Sequence, residues 1–231
     1  MKRLYVATAI ASFSLTLAAP AATICQIDTF QDGTTDGWFA GGLGMGQMPA
    51  TPPKVIANGG PRGVGDQYLQ ITSQGGSGAG SRLVAINVAQ WAGNYLTPGI
   101  GGIAMDLKNF GTTNLTIRLL FENPMGAPPT DEAVTTFGVP LPVGGDWVHA
   151  FFAISPSAMT PLIGDVNTLL RNTTLLRIID SPTPDDAVEI VGVLGVDNIA
   201  AVPEPATFLP LLGAFAWFTI RRHARVAGEG R

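Results

Sequence analysis

Few residues in this chain are equipped for chemistry, and their spacing does not assemble them. Cys25 is the only cysteine, and His149 is the only histidine apart from His223 close to the C-terminus. That excludes the usual histidine-cluster metal sites, and a Ser-His-Asp arrangement would rest on His149 alone, inside a strand-like run. Glycoside hydrolysis needs two carboxylates converging across a cleft. Asp106, Glu122 and Glu189 are eligible, but nothing in their spacing selects a pair, and Asp131-Glu132 and Asp185-Asp186 lie in proline-rich stretches that read as solvated turns. Gly75–Gly80 lacks the Lys-Ser/Thr ending of a phosphate-binding loop. The expectation is a protein without catalysis. A binding surface would call on other side chains. A sugar offers an apolar ring face to an aromatic side chain and hydroxyls to polar ones, and the candidates are Trp38, Trp91, Tyr95, Trp147 and His149. Trp38 and Trp147 suit the inside of a sandwich. Trp91 and Tyr95 fall in the loop-like segment Gln90-Trp91-Ala92-Gly93-Asn94-Tyr95 and are the expected glycan platform. Arg118 and Arg177, each on a strand-like run, could reach a sugar hydroxyl or carboxylate; the alternative for each is an ordinary surface arginine.

The elements that must position these residues read as all-β. Apolar alternation and β-branched residues mark Tyr68–Ile71, Arg82–Val88, Gly102–Leu107, Leu115–Phe121, Trp147–Ile154, Leu175–Ile179 and Ile190–Ile199. Between them lie turn formers such as Asn58-Gly59-Gly60-Pro61 and Pro142-Val143-Gly144-Gly145-Asp146. A short helix is expected over 165–171, with Asp165 as its cap. Many short strands at this spacing imply a two-sheet antiparallel sandwich. Residues 115, 117, 119 and 121 should face its core, and Thr116, Arg118, Leu120 and Glu122 should face solvent or a ligand. With one cysteine there can be no intrachain disulfide, so the domain must rely on that core.

A resemblance supports this architecture. The chain opens its middle section with Asp28-Thr29-Phe30-Gln31-Asp32-Gly33 and Asp36-Gly37-Trp38, passes through Gly65-Asp66-Gln67-Tyr68-Leu69, and closes with Gly195-Val196-Asp197-Asn198-Ile199. This pattern resembles the jelly-roll sandwiches of carbohydrate-binding modules and their galactose-binding-like relatives. The block from Gly80 through Trp91 and Tyr95 to Leu107 resembles the laminin B-like version. The resemblance implies that the first and last strands lie together and share a structural calcium ion. Asp197 matches the recurring aspartate of the closing strand, and Asp28 or Asp32 would add a second carboxylate. The alternative is that these acids cap turns.

Both ends of the chain are addresses. Lys2 and Arg3, the apolar run from Val6 to Leu17 and the small residues Ala19-Pro20-Ala21-Ala22 compose a secretory signal peptide over residues 1–22. Ile24 before Cys25 departs from the small residue that lipidation requires. At the other end Val202-Pro203-Glu204-Pro205-Ala206 precedes an apolar run to Ile220 and then Arg221-Arg222-His223-Ala224-Arg225. The run is shorter than the roughly 20 residues that comfortably cross a bilayer, and the arginines suit its cytoplasmic face. This order resembles the PEP-CTERM sorting signal of Gram-negative bacteria. The resemblance implies a transient inner-membrane anchor over 202–231, recognition of Pro203, Glu204 and Pro205 by an exosortase, and delivery to the cell surface or exopolysaccharide matrix. Residues 23–201 would be the mature domain. They hold seven Lys/Arg against fifteen Asp/Glu, a net charge of −8. So acidic a surface excludes nucleic acid and is compatible with calcium and with neutral glycans. The expected role is structural or glycan-binding, in contact with exopolysaccharide; the rival is a surface glycoside hydrolase or lyase on the same scaffold.

Overall fold

A computed structural model describes residues 22–40, 51–125 and 128–204. Residues 1–21 of the expected signal peptide, Pro205 and the apolar and arginine-rich tail lie outside the described residues.

Twelve strands and one helix follow in order: β1 (Ile27–Asp28), β2 (Lys54–Ile56), β3 (Tyr68–Gln74), β4 (Val84–Asn87), β5 (Ile100–Asn109), β6 (Leu115–Asn123), β7 (Asp131–Thr135), β8 (Val139–Leu141), β9 (Val148–Ala153), β10 (Met159–Ile163), α1 (Val166–Arg171), β11 (Leu175–Asp180) and β12 (Val191–Pro203). They build two antiparallel sheets. The first runs β2-β3-β12-β5-β9, with β1 also on β12; the second runs β10-β7-β6-β11-β4, with β8 also on β6. This is the two-sheet jelly-roll sandwich that the alternation implies. The expected helix forms, and Asp165 caps it by accepting the Thr168 N–H at 2.8 Å.

Period-two alternation explains the core. Leu69 and Ile71 of β3, Ile103, Met105 and Leu107 of β5, and Leu194 and Val196 of β12 turn inward from the first sheet. Ile117, Leu119 and Phe121 of β6 meet them with Leu176 and Ile178 of β11. Each such side chain removed from water contributes on the order of 1.5–3 kcal/mol. The expected strands all form. The sequence pattern misses β1 and β2, which are too short to alternate, and β8 and β10, which contain Pro140 and Pro161. It also misreads Asp131-Glu132, which open β7 instead of forming a solvated turn. Asp131 is buried because its Oδ1 accepts the Asp165 N–H at 2.9 Å, tying β7 to the start of α1.

The first and last strands do lie together: Ile27 pairs with Ala200 and Asp28 with Ile199. A bulge at Asn198, in the left-handed region at φ 51°, interrupts the β12–β5 register between Asp197 and Ala200. At the far end Pro203 pairs with Ile100, and the Glu204 N–H donates to Gly99 O at 2.9 Å. Two residues of the expected sorting triplet are thus joined directly to the sandwich.

Asp28 organises the N-terminal end. Its Oδ2 accepts the indole N–H of Trp38 at 2.9 Å and of Trp91 at 2.7 Å, and both rings are buried. Burial pushes the Asp28 carboxyl above its ordinary value, and the two indoles work against that rise. Asp28→Ala leaves two buried N–H donors without an acceptor, each costing about 1–3 kcal/mol. The expected loss in urea denaturation is about 2–6 kcal/mol, with Asp28→Asn losing less. A wild-type midpoint for Asp28→Ala would contradict this role.

Candidate functional site

The outward side of the second sheet carries an unusual set of charges. Alternation along β6 turns Thr116, Arg118, Leu120 and Glu122 away from the core, and β11 and β7 add Arg177, Ile179, Glu132 and Val134. Glu122 lies directly opposite Glu132 on one side and Leu175 on the other, while Leu120 is flanked by Val134 and Arg177. Leu120, Val134 and Ile179 pack with Ala187 from the β11–β12 loop, with Val84 and Leu162 against them. Over this apolar floor Arg177 Nη2 reaches Glu122 Oε1 at 2.5 Å, and Nη1 lies 3.8 Å from Asp186 Oδ1. Asp186 also meets Arg82 at 3.2 Å.

Two atoms in this cluster are left over. Glu122 Oε2 and Arg177 Nε are both shielded from solvent, and neither has a hydrogen-bond partner among the described residues. A buried polar atom without a partner costs about 1–3 kcal/mol. One is an acceptor and the other a donor. Burial pushes the Glu122 carboxyl up to about 7; Arg177 pulls it down, while Glu132 and Asp186 push it further up. Glu132 is raised as well, chiefly by burial.

The residues expected to contact glycan fare differently. Trp91 and Tyr95 form no platform. Both are fully buried: Trp91 is held by Asp28, and the Tyr95 hydroxyl donates to Trp91 O at 2.6 Å while its ring meets Phe121 edge-on. Burial accordingly holds the Tyr95 hydroxyl far above its ordinary pKa. The segment is a loop, but it is folded inward by these bonds. Arg118 is not available to a ligand either. It is 5% exposed, and its guanidinium donates to four carbonyls: Ser181 O at 2.9 Å, Thr135 O at 2.8 Å, Thr136 O at 2.7 Å and Pro182 O at 3.2 Å. It clamps the β11–β12 loop over β6, so the face expected to be solvated is partly roofed.

Asp28, Asp32 and Asp197 do not converge on a cation. Asp28 serves the two indoles, and exposed Asp32 accepts the Thr34 N–H at 2.8 Å in a turn. The two acids border an open pocket of 660 Å³ that Asp197 does not line. Asp197 is instead buried with Asp66 and Asp106 nearby, and its Oδ1 accepts the Asn198 N–H at 2.8 Å. Among the described residues no group of three His, Cys, Asp or Glu side chains is placed to hold a metal. The expected calcium set does not fit this structure.

Trp38 fills the interior as expected, but Trp147 does not. It lies half-buried outside the first sheet, its indole donating to Gly59 O at 3.0 Å, beside Tyr68 and Phe110. His149 is also outside, with Nδ1 2.8 Å from Asp106 Oδ1. The sequence reading passed over Phe110 and Phe151, which are 40% and 53% exposed. The available signal was the period of two that aligns Phe151 with His149 and Trp147.

No protein-family model matches the chain, and none of the curated proteins matches it significantly. Solved structures share its fold. An exo-β-agarase superposes with a TM-score of 0.54 at 11% identity, over 79% of this chain and 25% of that one, so this chain spans a quarter of the agarase. A family 11 carbohydrate-binding module of a cellulosomal cellulase from Clostridium thermocellum superposes with a TM-score of 0.51 at 11% identity, over 79% of this chain and 96% of the module. The jelly-roll sandwich of such modules is therefore the fold of this chain.

The buried acids make stability depend on pH. Burial pushes Asp197 up to about 7 from an ordinary 3.8, and Glu122 to about 7 from 4.5. Between the ordinary and the raised values the folded state binds more protons than the unfolded one, so stability falls as pH rises through that window. The melting temperature should be higher at pH 5 than at pH 8, and Asp197→Asn should flatten the slope. A melting temperature that rises from pH 5 to pH 8 would contradict the burial argument.

Proposed function

We propose that this protein is an exported, non-catalytic glycan-binding sandwich whose ligand site is the outward face of β6, β7 and β11. The observation that carries this reading is the orphan pair, Glu122 Oε2 and Arg177 Nε. A sugar hydroxyl accepts from the guanidinium N–H and donates to the carboxylate, and charge-assisted hydrogen bonds of this kind are the stronger ones. Leu120, Val134 and Ile179 are fully buried beneath the pair and hold its two strands in register. The paired charges and the acidic domain favour a neutral polysaccharide over a uronate. The fold shared with a carbohydrate-binding module supports the class of ligand without naming it.

Affinity electrophoresis through agarose, xylan, mixed-linked β-glucan and hydroxyethylcellulose tests this. At least one should retard the protein. Arg177→Gln and Glu122→Gln should each weaken retention by about tenfold, the loss of one hydrogen bond to a charged group. Migration unaffected by every polysaccharide would contradict the proposal.

A second reading has one observation behind it. Glu122 faces Glu132 across the strands with a carboxyl raised to about 7, which is how a general acid beside a second carboxylate would look. Against it, Glu122 Oε1 is already engaged by Arg177. Release of reducing ends during incubation with the retarding polysaccharide would favour hydrolysis; none is expected.

The address at the C-terminus completes the proposal. The Pro203-Glu204-Pro205 triplet, apolar run and arginine cluster support exosortase processing after transient anchoring in the inner membrane, with the mature protein at the cell surface or in the exopolysaccharide matrix. Mass spectrometry of the exported protein should find no residues much beyond Pro205. An intact C-terminus at Arg231 on most molecules would exclude processing.

A further inference from the structure

We infer that the opposite side of the sandwich, the outward face of the first sheet along β9, is a second contact surface for neutral pyranose rings, so that one domain holds two polysaccharide chains. The inference rests on the glycan-binding reading and extends it from one site to two.

Three side chains define the surface. In β9 Ala150 and Phe152 point into the core, so His149 and Phe151 point outward, in line with Trp147 just before the strand. At about 3.4 Å per residue the row from Trp147 to Phe151 is about 13 Å long, the scale of a short oligosaccharide. Phe151 is 53% exposed, and the His149 side chain is 71% exposed. The rings lie against glycine. A Cβ on Gly102 would collide with the ring of Phe151, and one on Gly195 would come within 2.6 Å of Phe110 Cε2 and 2.9 Å of Trp147 Cη2. The bare backbone at these two positions lets rings settle on the sheet. Phe110 adds a further ring, stacked on buried Tyr68 at 5.2 Å and 12°.

The polar groups between the rings decide the partner. Asp106 holds His149 Nδ1 at 2.8 Å and the Asn198 amide at 2.7 Å, which leaves His149 Nε2 free to face a ligand hydroxyl. Lys108 sits 5.4 Å from the Phe110 ring centroid and 3.7 Å from Asp146. Rings separated by hydrogen-bonding groups, with charges already balanced, match the alternation of apolar C–H faces and hydroxyls on a neutral sugar chain. The two faces lie on opposite sides of a two-layer sandwich, so chains bound to each are bridged. Joined weak contacts raise retention far beyond either alone.

The experiment uses the exported protein and whichever of the four polysaccharides above retards it, reading retention in the gel and turbidity of the soluble polysaccharide as a measure of bridging. Phe151→Ala with His149→Ala should weaken retention about three- to tenfold, the range for losing ring stacking, and abolish turbidity. Phe151→Trp should preserve both, whereas Phe151→Leu, which keeps apolar area without a π-face, should not. Arg177→Gln should also abolish turbidity and leave residual retention. If the double variant matches wild type in retention and turbidity while Arg177→Gln loses binding, this inference fails and the reading of the second sheet stands. If Arg177→Gln matches wild type and the double variant loses binding, the second-sheet reading fails and the β9 surface stands as a single site. A wild-type dimer that becomes monomeric on Phe151→Ala, seen by sedimentation, would make this face a subunit contact and overturn the inference.

Discussion

One buried carboxylate oxygen holds the N-terminal end of this sandwich together. Asp28 Oδ2 receives the indole N–H groups of Trp38 and Trp91, and Gln90 Nε2 approaches it at 3.3 Å. Asp28 belongs to the first sheet through β12, whereas Trp38 precedes Phe39, whose backbone bridges to Ile86 of the second sheet, and Trp91 follows β4 of that sheet. The contact therefore ties the two layers where sheet hydrogen bonds cannot. With a single cysteine in the chain, no disulfide can do this work. Placing two large rings around one acceptor also fixes the inward path of the Trp91–Tyr95 segment, and the Tyr95 hydroxyl completes it by bonding to Trp91 O.

The two outward faces have different chemistry because different things cover them. On the second sheet, Arg118 draws the β11–β12 loop down by its carbonyls, and Glu122 Oε2 and Arg177 Nε on the same face are shielded from water. Shielding raises the carboxyl and strengthens any hydrogen bond formed there, since the local dielectric is low. On the first sheet Phe110 and Phe151 are partly exposed, and charges such as Lys108 and Asp146 pair at the surface, where each pair is worth little to stability. A buried hydroxyl socket and an exposed ring row are two distinct ways of meeting a sugar. The two lie on opposite sides of the sandwich.

The architecture was legible from alternation in β3, β5, β6, β11 and β12, where inward positions are Leu, Ile, Val or Phe and half the residues have only one way to face. Glycan contacts were harder to read, because residue type does not say what roofs a strand. Arg118 stands at an outward position and is buried by a loop from more than sixty residues away, as its bond to Ser181 O shows. Trp91 and Tyr95 sit among glycines, as exposed loop aromatics often do, but a carboxylate distant in sequence pulls the segment inward. Trp147 was read as interior because large rings usually are; Gly195 beneath it is what allows it to lie outside, and that pairing is visible only once β12 and β9 flank β5. Asp197 was read as a calcium ligand from its place in the closing strand, but the bulge at Asn198 and the neighbouring Asp66 and Asp106 give it other company.

The proposed glycan contact depends most directly on the unpartnered pair Glu122 Oε2 and Arg177 Nε. Its sharpest test is the nuclear magnetic resonance signal of the Arg177 Nε–H in the exported protein, followed while an oligosaccharide of the retarding polysaccharide is added. The account predicts that this signal shifts and exchanges more slowly with water as the sugar hydroxyl becomes its acceptor, together with the backbone amides of Glu122 and Glu132. An Arg177 Nε–H signal that stays in place while the sugar binds elsewhere would contradict it.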